Sequence, residues 1–159
     1  MTEYNDTPRK HQEGLFSAIS GGFFLLLVGI IFIITPNLFD NLLNFIGDFQ
    51  LVDVPNTDIV FFGPQSPRSH LTVYQAVGQV SIAVCILQII ILSLRFVIPS
   101  SWEKRSETVG NFVYWGGAAF LIQIFLVEST QWFVFWSTLI IIVGVSLVVR
   151  AGVMAISRI

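Results

Sequence analysis

Four apolar stretches, each with few or no charges inside it, constrain the fold more than any other feature of the sequence. A hydrocarbon core of about 30 Å requires roughly 20 helical residues at about 1.5 Å each. The first stretch, Gly14 to Thr35, reaches that length and is closed by Pro36, which cannot continue a helix. At about 21 apolar residues from Leu15, with no Ala-x-Ala pattern after it, it is too long for a signal-peptide core and is expected to be retained. The second, Leu71 to Ile98, is closed by Pro99; at about 28 residues it exceeds the core and is expected to tilt or project.

The third apolar run, Phe112 to Val127, has only about 16 residues, short of a span on its own. Upstream, Ser100 and Glu103 have capping-box spacing, so the helix is expected to start near Ser101 and to cover 101–128 with a charged extension. The fourth runs from Trp132 to Ile156. The connection Ser129-Thr130-Gln131 allows only a tight helical hairpin, so helices three and four should be antiparallel neighbours.

The fold expected is an all-α integral membrane protein: one domain, 1–159, built as a four-transmembrane-helix bundle. Composition agrees. Charged residues make up 11% of the chain against about 25% in soluble domains, too few to cover a water-exposed surface. Phe is frequent at fifteen copies, and four Trp add amphipathic rings of the kind that settle at membrane interfaces.

Lys and Arg near helix ends stay on the cytoplasmic side. With four spans, one side receives Arg9, Lys10, Arg95, Lys104, Arg105, Arg150 and Arg158, and the other only Arg68. Both termini are therefore expected in the cytoplasm, and the membrane expected is the plasma membrane. Arg95 and Arg150 lie near helix ends, where long side chains can snorkel to the phosphates.

The outer loop, 36–70, is long enough to require structure of its own. Leu38, Phe39, Leu42, Leu43, Ile46 and Phe49 recur at helical spacing, with Asp40, Asn41, Asn44 and Asp48 between them, which predicts an interfacial amphipathic helix over about 37–49. Pro55, Gly63, Pro64 and Pro67 then break the chain around Ile59–Phe62, expected as an extended segment packed on the helix mouths.

Ionisable groups are nearly absent from the spans, so polar amides become the candidates. Gln75 and Gln79 on helix two, with Gln123 and Glu128 on helix three, could line an outward-facing pocket with Arg68 and His70. The expectation favoured over that pocket is that the glutamines act as interhelical glue at about 0.6 kcal/mol per hydrogen bond, with Glu128 in the headgroup layer. Close packing is expected along Tyr74, Gly78, Ser81, Cys85 and Gln88, and at the small-xxx-small pairs Ser17/Gly21, Ala18/Gly22 and Ala151/Ala155. Gly116-Gly117-Ala118-Ala119 on helix three is similar.

Cys85 is the only cysteine, which rules out an intrachain disulfide or a Cys-x-x-Cys site. Asp48, Asp53 and Asp58 lack the ligand order of a calcium loop, and His11 and His70 are isolated. No hydrolase elbow, phosphate-binding loop or zinc-protease motif occurs, and the basic residues form no nucleic-acid stripe. The expectation is a non-catalytic protein without metal or cofactor, a scaffold or accessory subunit whose partners are the bilayer and other membrane chains or its own copies. The alternatives are a small homo-oligomeric transporter or channel using the polar cluster, and a lipid-binding or membrane-shaping protein.

Overall fold

The computed structural model describes residues 6–97 and 100–156. Helix α1 (Asp6–Ile34) stops ahead of Pro36, its final turn closed by the Thr35 amide bonded to the Ile31 carbonyl at 3.0 Å. Asn37 then takes a left-handed conformation (φ 53°), which asparagine tolerates better than most side chains, and turns the chain into α2 (Leu38–Gly47). Leu38 is buried against Ile31 of α1 and Ala76 of the next long helix, with Leu42 packed beside it. Phe39, Leu43 and Ile46 remain exposed on the other side of α2.

The helix expected to reach residue 49 ends two residues earlier, because Asp48 caps it and Phe49 opens a strand. Strand β1 (Phe49–Asp53) pairs antiparallel with β2 (Val60–Pro64), with Phe49 opposite Pro64 and Asp53 opposite Val60. The extended segment anticipated around Ile59–Phe62 therefore has a partner that helical periodicity hid. Pairing satisfies backbone groups that a lone extended segment would leave to solvent. The Val54 amide bonds the Ile59 carbonyl at 2.8 Å to close the connection, and Asn56 adopts φ 63° within it.

A 3₁₀ turn, Pro67–His70, leads into α3 (Leu71–Val97). Helix α4 (Trp102–Leu121) is capped by Ser101, whose hydroxyl accepts from the Lys104 amide at 3.4 Å. Ser100, the cap expected from the Glu103 spacing, instead lies 3.4 Å from Arg95 Nη1. Beyond Leu121 the helix widens into a π-helical segment, Ile122–Glu128, before the turn into α5 (Trp132–Ile156).

The long helices pack as a row: α1 on α3, α3 on α4, α4 on α5. Glycines of α4 make the close approaches possible. A Cβ at Gly116 would lie 3.2 Å from Cys85 Sγ, and one at Gly117 would lie 2.7 Å from Ile142 Cγ2. Gly110 meets the Ser146 carbonyl and Arg150 in the same way. Helix α1 is held on one side by Phe16 against Leu87 and Ile91, and Arg95 folds over the Phe16 ring at 5.2 Å. Its Leu25, Leu26 and Ile33, like Ile140, Ile141 and Val148 of α5, are exposed. Four helices of the row are long and apolar enough to cross a membrane.

Candidate functional site

The densest polar and aromatic structure lies where α2, the hairpin and the start of α5 meet. Asp48 sits at the end of α2 and His70 at the start of α3, and the Asp48 Oδ2 to His70 Nε2 distance is 2.8 Å. The same carboxylate oxygen accepts from the Ser66 amide at 2.8 Å, and the Asp48 carbonyl accepts from the Gln65 amide at 3.0 Å. Three chain segments are thus tied through one residue. These donors, the Ser66 amide first and His70 second, favour the ionised carboxyl and hold its pKa below the ordinary 3.8. With Asp48 ionised and accepting, His70 Nε2 carries the donated proton.

Phe45 is the centre of the adjoining aromatic nest. Its ring lies 4.9 Å from Phe49, 5.1 Å from His70 and 5.9 Å from both Tyr74 and Trp132, all at steep interplanar angles. Edge-to-face pairs of this kind add about 0.5–1.5 kcal/mol each beyond burial. Trp132 joins the nest to the hairpin, because Gly63 has no side chain: a Cβ there would come within 3.1 Å of the indole.

Outside the nest, a groove of about 720 Å³ runs between the hairpin connection and the α4–α5 turn. Asp53 and Asn56 lie along one wall, Thr130 and Gln131 along the other, and Trp132, Val134 and Ser137 continue it onto α5. Arg68 reaches its edge, with Nε 3.4 Å from Thr130 Oγ1. A second, apolar cavity of about 250 Å³ lies beneath the nest between α3, α4 and α5, reaching Ser81 and Leu139.

The residues singled out by sequence separate into groups. Gln123 and Glu128 come together, Nε2 donating to Oε1 at 3.3 Å. The π winding explains this: i→i+5 bonding stacks residues five apart, which an α-helix would set about 140° apart. Gln75 and Gln79 are exposed on α3, as are Gln123 and Glu128. Between the two pairs, Gly78 packs against Ile122. His70 is buried on Asp48 rather than open to the glutamines.

Of the packing residues, Tyr74 and Ser81 are buried, and Gly78, Cys85 and Gln88 are half-buried. Cys85 touches α4 through Gly116 and through Phe112, whose carbonyl lies 3.9 Å from its Sγ. Ser17, Ala18, Gly21, Gly22, Ala151 and Ala155 are exposed, and a Cβ at Gly21 or Gly22 would meet no atom within 4 Å among the described residues. The sequence reading passed over Phe45, although Leu38, Leu42, Phe45 and Phe49 themselves follow helical spacing. The Asp48–His70 pair carried no local signal. Comparison with protein-family models, curated proteins and solved structures finds no match.

Proposed function

We propose that this chain is a non-catalytic membrane protein, an accessory or scaffold subunit that uses α1 to pack against another transmembrane helix. In this reading the four long helices span the plasma membrane with the termini cytoplasmic and the hairpin outside, following the basic residues gathered at the ends away from the hairpin. The observation that carries it is the outward stripe Ser17, Gly21 and Gly22. Glycines of α4 are filled by neighbouring helices, whereas those of α1 face open space. In lipid, association is driven by close packing, so a small-residue face on a peripheral helix favours a helical partner.

The transporter alternative rests on Gln75, Gln79, Gln123 and Glu128. Their exposure means that further copies would have to enclose them before they could line a path.

A photo-crosslinker at Ser17, with one at Ile140 as a lipid-facing control, tests the proposal in native membranes. The expected result is an adduct of discrete mass from Ser17 alone that disappears in Gly21→Leu. Equal labelling from both positions, or an adduct indifferent to Gly21→Leu, would remove α1 as the docking face.

A further inference from the structure

The groove beside the hairpin combines an acid in its lining with a base at its edge. Asp53 lines one wall, exposed and without a side-chain bond among the described residues. Arg68 reaches the groove's edge through Thr130, Nε to Oγ1 3.4 Å, and is the only Lys or Arg between Thr35 and Arg95. Trp132, at the start of α5, forms part of the floor. Indole rings prefer the depth at which headgroups lie.

The groove also has an exit for acyl chains. Val134 and Ser137 line its lower end, and Ile141, Val145 and Val148 continue the same exposed strip down α5 at helical spacing. Ser137 does not interrupt this strip, because its hydroxyl donates to the Phe133 carbonyl at 3.0 Å. One acid in the lining and one base at the edge of a groove that continues onto an apolar helix face suit a molecule with a phosphate, an ammonium group and a long tail.

We propose that the groove seats a zwitterionic membrane phospholipid, with Arg68 meeting the phosphate, Asp53 the ammonium group, and an acyl chain lying along Val134, Ser137 and Ile141. An anionic phospholipid satisfies Arg68 but leaves Asp53 facing no cation, so the site discriminates by headgroup. This inference does not depend on the role of α1.

Native mass spectrometry of the full-length protein, loaded with phosphatidylethanolamine or phosphatidylglycerol in mild detergent, tests it. Wild type should retain phosphatidylethanolamine roughly two- to fivefold better, the scale of one exposed ion pair. Asp53→Asn should bring that ratio near one, Arg68→Gln should lower retention of both lipids, and Asp40→Asn, an exposed acid away from the groove, should change nothing. Equal retention of the two lipids by wild type, or a preference that survives Asp53→Asn, overturns the assignment.

Discussion

Asp48 and His70 meet at 2.8 Å and thereby join the end of α2 to the start of α3 across the whole hairpin. Because the same carboxylate holds the Ser66 amide, removing it releases the hairpin's return segment as well as His70. Asp48→Ala is therefore expected to speed amide exchange from Phe49 to Gly63 while leaving α4 and α5 protected. Unchanged exchange in the hairpin would show that the strand pairing and aromatic nest suffice without the pair.

The same residue sets a pH dependence. Its pKa is lowered on folding by the Ser66 amide and by His70, so its stabilisation is complete above the ordinary 3.8 and is lost as pH falls through the lower folded value. Thermal unfolding followed by Trp fluorescence should show wild type losing stability below about pH 4, with Asp48→Asn losing less over that interval. Identical acid profiles for the two proteins would assign the acid response to other carboxylates.

The glycines of α4 and α1 should respond oppositely to a methyl group. Gly117→Ala places a Cβ against Ile142 and is expected to cost about 1–3 kcal/mol, with partial recovery on adding Ile142→Ala. Gly21→Ala meets nothing and gains helix propensity, so its isolated chain should be as stable as wild type or slightly more so. Denaturation in detergent micelles measures both, and equal costs at the two sites would contradict the packing described.

Exposure of the glutamines gives a fourth expectation. Gln79→Leu should leave a folded protein and change stability by about 1 kcal/mol or less, because interhelical hydrogen bonds in membranes average only a fraction of that. Cation flux from reconstituted wild-type protein, reduced by Glu128→Gln with folding intact, would instead promote the transporter reading.

The proposed orientation is tested by cysteine labelling in a Cys85→Ser background. A cysteine at Asp53 should react from outside intact cells and one at Lys104 should not. Reversal at both positions inverts the topology.

The long helices and the breaks between them were legible in the sequence because hydropathy and proline act locally. Pro36 ends α1, and the Ser129-Thr130-Gln131 connection separates α4 from α5, whatever the helices later touch. Some local signals misled: Phe49 satisfies a helical period, yet its pairing with Pro64 belongs to a strand. Helical spacing predicts which residues share a face, and tertiary structure decides what that face meets. Thus Gly21 and Gly117 look alike as small residues in apolar runs, but one faces open space and the other Ile142. Likewise only π winding brings Gln123 to Glu128, and only the closing of the hairpin between them brings Asp48 to His70. The sequence by itself determined where the chain is helical and apolar, since each residue contributes to that independently of distant partners. The tertiary structure alone decided the site, because a contact between residues far apart in the chain depends on how every intervening element turns.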